Sequence, residues 1–348
     1  MEIDTKGKEM TENQGASMPN AVNPKELKDA KTLFVEDLKP GMRFRSYFIA
    51  KSIEVKQDKN GKDYLAAILG DMTGDISAKF WGITDEDKER FSVIQAGSSV
   101  KVEAQVQEYN HQNQLVLDKL RLTEIEDNID MSLLIKAAPE DAKEMYDFIV
   151  AKANAMEDEE LKKIALTLME RNYDKLQYYP AAAKNHHAER SGLLWHMKRM
   201  LMSGEALCGV YTFLNKDLVL TGVIVHDMEK LNEIDAERTG LATGYSKKGQ
   251  LLGHIVQGVS EMGKLCDELG VSEEKALLLE HMILSHHYQP EFGSPKRPMF
   301  PEAEILHYLD IMDARMYDME EAVQGVEEGG FSERVWTLDN RRIYKPMI

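Results

Sequence analysis

The hydrophobic periodicity of this chain changes once, near Asp127, and that change limits the folds open to it. From Thr32 to the break, apolar and polar residues alternate in short runs, the period of two that a half-buried strand requires. Beyond it, apolar residues recur every three or four positions almost to the C-terminus, the spacing of one helix face. A chain of 348 residues divided in this way is expected to bury two cores rather than one. Ahead of the first run, residues 1–31 are polar, poor in aromatics and interrupted by Gly15, Pro19 and Pro24, so they read as a mobile tail.

The β-like runs are Arg43 to Val55, Tyr64 to Asp71, Ile76 to Trp81, Ser99 to Tyr109 and Gln114 to Glu124. Asn60-Gly61 and Gly74-Asp75 mark tight turns between them. A charged stretch of helical composition, Thr84 to Phe91, separates the third run from the fourth. Three strands, a helix and two strands is the order of an OB-fold, so residues 32–127 are expected to form a small five-stranded barrel. Residues 128–348 are expected to be all-helical, with 128–180 as connecting helices, which makes the whole a multidomain α+β protein. The expected helices are Pro139 to Ala155, Glu159 to Asn172, Gly192 to Cys208, Asp217 to Lys230, Gly249 to Leu269, Ser272 to Ser285 and Glu302 to Glu321. Tyr179-Pro180, Gly240 to Gly244 and Gln289 to Pro301 break them.

A formal net charge of -17 argues against a general polyanion-binding surface and leaves room only for a local basic groove. Most of the surplus acid lies after residue 127. Cys208 and Cys266 stand in apolar, helix-like surroundings and are expected as core thiols of a reducing compartment. No apolar run approaches the ~20 residues of a membrane span, and the first twenty residues lack a secretory core, so a cytoplasmic location is expected.

Nine of the ten histidines follow residue 185, in the helical part. His226-Asp227 ends the apolar run Leu218 to Val225, and His196 follows Gly192-Leu193-Leu194-Trp195. Asp310 and Asp313 interrupt an otherwise apolar helix, where a buried carboxylate is costly unless it is paired or binds metal. An adjacent His and Asp can offer nitrogen and oxygen to one divalent ion. Taken alone, the pair is explained equally well as a helix cap or a buried hydrogen-bonded couple.

His196, His226-Asp227 and Asp310, in that order on separate helices, resemble the four-ligand signature of the HD superfamily of metal-dependent phosphohydrolases. The resemblance implies that these four bind one metal, with Asp313 an alternative to Asp310, and that Lys230 contacts phosphate. It also matches His254, His286 and His287 to a second metal position, with His281 competing for one place. Asp227 is then the bridge between two ions and, with Lys230, the centre of catalysis. Such ions polarise phosphoryl oxygens and lower the pKa of a water toward ~7. His186 and His187, beside Lys184 and Arg190, either contact phosphate or cap the next helix.

In the barrel, Lys79 and Trp81 share one face of the third strand, with Phe80 opposite. Together they can stack a base and pair with its phosphate, although barrel aromatics are as readily core. Arg43 and Arg45, with Lys51 and Tyr64, are further groove candidates. An OB-fold followed by an HD domain resembles the YhaM family of bacterial 3'-to-5' exoribonucleases. The local features are Gly74-Asp75-Ile76 with Ala78-Lys79-Phe80-Trp81, then Lys184 to His187 leading into Ser191 to His196, and Leu338 to Arg342 with Tyr344-Lys345. That family implies a manganese-dependent nuclease acting on single-stranded RNA ends, with DNA a second substrate, and a homo-oligomer with no membrane partner. The polar N-terminal tail and the acidic balance depart from it. Two other readings compete: an HD-type nucleotide or cyclic-dinucleotide phosphohydrolase, and a non-catalytic single-strand-binding protein. Against the first, Tyr288 to Gly293 lacks a Gly-Tyr-Pro element. Against the second, the ligand set looks complete.

Overall fold

The computed structural model describes residues 31–109, 112–183 and 187–348, so the expected tail lies almost wholly outside the described residues, as does His186. Strands β1 (Arg43–Gln57), β2 (Asp63–Asp71), β3 (Gly74–Trp81), β4 (Ser99–Tyr109) and β5 (Gln112–Leu122) close into a barrel in the order β1-β2-β3-β5-β4. β1 serves two neighbours: Arg43 to Ile49 pairs with β4, and Ile49 to Gln57 pairs with β2 across an irregularity at Ala50/Ser52. A bulge there bends the strand, which a five-stranded barrel needs in order to close. The β3 to β5 pairing is parallel and completes the circuit. Helix α1 (Asp85–Ser92) starts at Thr84 in a reciprocal capping box with Asp87. Its Phe91 packs with Phe48, Leu69, Val102 and Leu115 inside the barrel.

The rest of the chain is helical: α2 (Ala142–Asn154), α3 (Glu159–Arg171), α4 (Tyr173–Leu176), α5 (Gly192–Val210), α6 (Lys216–Val225), α7 (Lys230–Glu233), α8 (Lys247–Leu269), α9 (Glu273–Ser285) and α10 (Pro301–Val323). α6 is buried along its whole length from Leu218 and forms the axis against which α3, α5, α9 and α10 pack. Among the described residues no helix is long and apolar enough to cross a membrane.

Two hairpins add to the expected helical layout, β6 (Ile234–Ala236) with β7 (Ala242–Tyr245) and β8 (Phe331–Val335) with β9 (Arg341–Tyr344). Strands of three to five residues hold too few alternations for a period of two to register. The expected helix from Asp217 to Lys230 is also divided. After His226 the chain tightens to three-residue turns, Met228 N–H to Val225 O and Lys230 N–H to Asp227 O, before α7 begins.

Asp127 sits at the junction of the two parts. Its carboxylate accepts from both Nη atoms of Arg121 (2.7 and 2.8 Å), from Lys101 Nζ (2.9 Å) and from the Glu124 backbone (2.8 Å). Just beyond, Leu134 and Ile135 join Tyr47 and Ile49 of β1 in a small buried cluster that also meets Leu241 from the β6–β7 turn. Gly97 packs against the same turn, leaving a Cβ there 3.3 Å from Leu241 and 3.2 Å from Thr243.

Candidate metal centre and nucleic-acid face

Five of the seven sequence-predicted metal residues are delivered by the end or the break of a helix. His226 and Asp227 leave the C-terminus of α6, His286 and His287 leave that of α9, and His254 follows a break in α8. The break is at Gly253, whose φ of 66° and ψ of 169° suit glycine alone. The backbone N–H of His254, released from the helix ladder, donates to Glu233 Oε1 (3.0 Å). His196 and Asp310 project from the middles of α5 and α10.

One ring nitrogen of each histidine is committed elsewhere. Nδ1 of His226 donates to Val223 O (2.9 Å), of His286 to Ile283 O (2.7 Å), and of His287 to Phe292 O (2.7 Å). Nδ1 of His254 meets Glu233 Oε2 (2.9 Å) and that of His196 meets Asp313 Oδ2 (2.8 Å). These bonds leave every Nε2 for the interior, the arrangement by which outer partners orient metal-binding imidazoles.

The Nε2 atoms fall into two groups around Asp227. Oδ2 of Asp227 lies 3.3 Å from His226 Nε2 and 3.7 Å from His196 Nε2; Oδ1 lies 3.5 Å from His254 Nε2 and 3.8 Å from His286 Nε2. Asp310 spans the same gap, with Oδ1 3.4 Å from His196 Nε2 and Oδ2 4.0 Å from His287 Nε2. Leaving aside Asp227 Oδ2, which is ion-paired with Lys230, four buried atoms here, His226 Nε2, His254 Nε2, His286 Nε2 and Asp227 Oδ1, make no hydrogen bond among the described residues. Each such atom costs ~1–3 kcal/mol if left unpaired, and all four are donors that suit a divalent cation. The residues therefore fit the metal that an HD domain implies.

The charges agree with that use. Burial pushes the Asp227 carboxyl up, but the Lys230 ammonium, 2.6 Å from Oδ2, and the neighbouring imidazoles outweigh it and hold Asp227 well below the usual range. Burial works against Lys230 too, yet Asp227 and Asp310 keep its amine above the ordinary value. His286 and His287 are pushed down, chiefly by burial, which preserves their neutral lone pairs.

Asp313 lies behind this centre rather than in it. It accepts from His196 Nδ1 and from His187 Nε2 (both 2.8 Å) and pairs with Arg199 Nε (2.6 Å). His187, read from the sequence as a phosphate contact or a helix cap, has its ring buried against Tyr317 and Asp313. His281 faces away, accepting at Nε2 from Met299 N–H (3.1 Å). Glu233, which braces His254, was missed. It carries no spacing signal, because its partner is 21 residues further on.

A cavity of about 410 Å³ opens on the metal centre, lined by Lys230, Glu233, His254, His287 and Asp310 on one part and by aliphatic and aromatic groups on the rest. On the barrel, Ile76 and Ala78 are buried in the core and Phe80 packs against it, while Lys79 and Trp81 face outward. Trp81 is 46% exposed and stacks on Tyr64 with ring centroids 4.7 Å apart. Lys79 Nζ lies 5.3 Å from the Trp81 ring and 5.4 Å from Tyr109, an exposed aromatic at the β4–β5 turn that sequence reasoning missed. Arg43 and Arg45 are not part of this group. They sit where β1 pairs with β4 and face Asp118 (3.8 Å) and Glu103 (3.0 Å), which already supply their counter-charges.

Comparison with known proteins agrees with both halves. Residues 50–123 match the family model of an OB-fold nucleic acid binding domain, and residues 193–315 match that of the HD domain. A protein of Geobacillus sp. named 3'-5' exoribonuclease YhaM is 40% identical over 302 residues, covering 87% of this chain and 91% of the relative. The Bacillus subtilis protein of that name is 38% identical over 306 residues, 88% of this chain and 96% of the relative. The Halalkalibacterium halodurans protein is 37% identical over 306 residues, 88% and 94%. With such identity along nearly the full length of its relatives, and with a barrel and a metal centre of the matching kinds, this chain belongs to the family of the 3'-5' exoribonuclease YhaM.

Proposed function

We propose that the protein is a metal-dependent 3'-to-5' exoribonuclease that takes a single strand on the barrel and hydrolyses its terminal phosphodiester at the HD centre. Residues 32–127 form the nucleic-acid-binding domain and residues 128–348 the hydrolase, with 128–180 connecting them. The observation that carries the reading is Asp227, whose two oxygens face separate groups of imidazole nitrogens. His196, His226, Asp227 and Asp310 would hold one ion, and His254, His286 and His287, together with Asp227, would hold a second. Manganese is the metal of choice, the enzyme works in the cytoplasm, and it assembles as a homo-oligomer.

When bound, the ions supply Lewis acidity to a phosphoryl oxygen and acidify a water for attack. The chain's own groups do the rest. Lys230 lines the cavity with its ammonium beside Asp227, where it offsets negative charge developing on the phosphoryl group. The Tyr64–Trp81 pair, with Lys79 and Tyr109, gives bases a stacking surface and a phosphate a cation. With a net charge of -17 on the whole chain, binding depends on this local patch, and salt weakens it in proportion to the phosphates the patch neutralises.

The test offers 5'-labelled and 3'-labelled single-stranded RNA and DNA, cyclic dinucleotides and nucleoside triphosphates to the protein with manganese or magnesium. The expected result is early release of the 3' label, progressive shortening of the 5'-labelled RNA, and faster turnover with manganese. Hydrolysis of small nucleotides alone sinks the exonuclease reading. Asp227→Asn should abolish turnover and retain single-strand binding; a variant that still turns over removes the central assignment.

A further inference from the structure

The cavity at the metal centre is divided chemically. Its polar lining, Lys230, Glu233, His254, His287 and Asp310, either faces the ions or braces a residue that does. Apart from His307, whose Nδ1–H is spent on the His286 carbonyl (2.7 Å), the remaining lining is aliphatic or aromatic, including Ile234, Ile311 and Ala314. Two large rings lie at its rim, Tyr245 at 49% exposure and Phe292 at 65%. Exposed rings at the mouth of such a cavity offer a stacking surface to whatever enters it.

Both rings are tied to the metal ligands through the backbone. The carbonyl of Phe292 is the acceptor that fixes His287 Nδ1, so the Phe292 ring keeps a set position relative to that ligand. Tyr245 pairs with Ile234 across the β6–β7 hairpin, directly after Glu233. The next residue, Ser246, donates its N–H to the Glu233 carbonyl (2.9 Å) and caps α8, on which His254 stands. The rim and the ligands thus belong to the same two short segments.

We propose that Tyr245 and Phe292 form a clamp for the 3'-terminal base, which rests in the apolar part of the cavity while its 5' phosphate lies at the charged part. This rests on the exonuclease reading above. The volume, about 410 Å³, lies within the ~300–1,000 Å³ of small-ligand pockets, room for a single nucleotide. Every base has a π-face and most of this part of the lining is hydrocarbon, so the clamp accepts all four bases and is sequence-tolerant.

The experiment compares two 5'-labelled single-stranded RNAs that differ only in the terminal residue, intact in one and abasic in the other, on the wild type, Tyr245→Ala, Phe292→Ala and the double variant. For the wild type, loss of the terminal base should raise KM about 5- to 150-fold, equivalent to the ~1–3 kcal/mol of one stacked base. In the double variant the two substrates should converge, at the KM of the abasic one, with manganese binding by titration unchanged. A wild type that cuts both strands with equal KM, or a double variant that keeps the difference, overturns the clamp and leaves the exonuclease intact. A wild type that cuts neither strand overturns both.

Discussion

His196 is held at both ring nitrogens by carboxylates of a single helix: Nδ1 by Asp313 at 2.8 Å, and Nε2 facing Asp310 at 3.4 Å. The three-residue spacing on α10 places one carboxylate among the ligands and the other behind the ring it orients. Burial opposes a proton on His196, but the two aspartates outweigh it and push its pKa up to about 9. Asp313→Asn keeps the shape of the site and removes the negative charge that orients the ring. The apparent affinity for manganese should fall about 10- to 100-fold, as for other outer partners of metal-binding histidines, alongside a loss of apoprotein stability from the weakened Arg199 and His187 contacts. Metal-dependent activity titrations check this, and an unchanged midpoint would return Asp313 to a structural role.

Gly253→Ala tests the break in α8. An added Cβ meets nothing closer than Glu233 Oε1 at 3.6 Å, so the cost comes from the backbone, whose φ of 66° an alanine resists. A loss of ~1–3 kcal/mol in stability is expected, together with displacement of His254 from Glu233. Metal analysis should then find the second ion lost before the first, because His196, His226 and Asp310 do not depend on this kink.

The barrel and the long helices were legible because each repeats its period several times: all five strands and α1 fall within two residues of their expected limits. The residues that gather around Asp227 share a signal in their order along the chain. What braces them has none. Glu233 reaches His254 across 21 residues, and Asp313 reaches His187 across 126, contacts that leave no local pattern. Arg43 and Arg45 show how such pairing bears on a surface cation. On β1 they resemble groove cations, but strand register sets Arg45 opposite Glu103, and pairing of that kind cannot be read before the register is known.

That difference between cations makes a second binding test. In the inactive Asp227→Asn background, Trp81→Ala should weaken single-stranded RNA by ~1–3 kcal/mol, the worth of a stacked base. Lys79→Ala should weaken it and reduce the slope of affinity against salt. Arg45→Ala, whose guanidinium already has Glu103, should change affinity by less than ~0.5 kcal/mol. Fluorescence anisotropy at several salt concentrations checks all three; equal losses for Arg45 and Lys79 would place the groove across β1 and β4 instead.

The junction predicts an acid-sensitive joint. The Arg121 guanidinium, helped by the Glu124 N–H and Lys101 and opposed by burial, holds the Asp127 carboxyl far below its ordinary value. A carboxyl depressed in the folded state stabilises the fold above its unfolded pKa of ~3.9, and that contribution disappears as pH falls through the folded value. Asp127→Asn should therefore lower stability at neutral pH by roughly 1.5–3 kcal/mol, the worth of hydrogen bonds to a charged group. The gap between variant and wild type should stay constant from about pH 5 to 8 and narrow below about pH 4, as the wild-type carboxylate takes up its proton. Thermal melts across that range check the sign. A gap that widens on acidification would mean that Asp127 is raised rather than depressed in the fold, and that Arg121 is not its partner in solution.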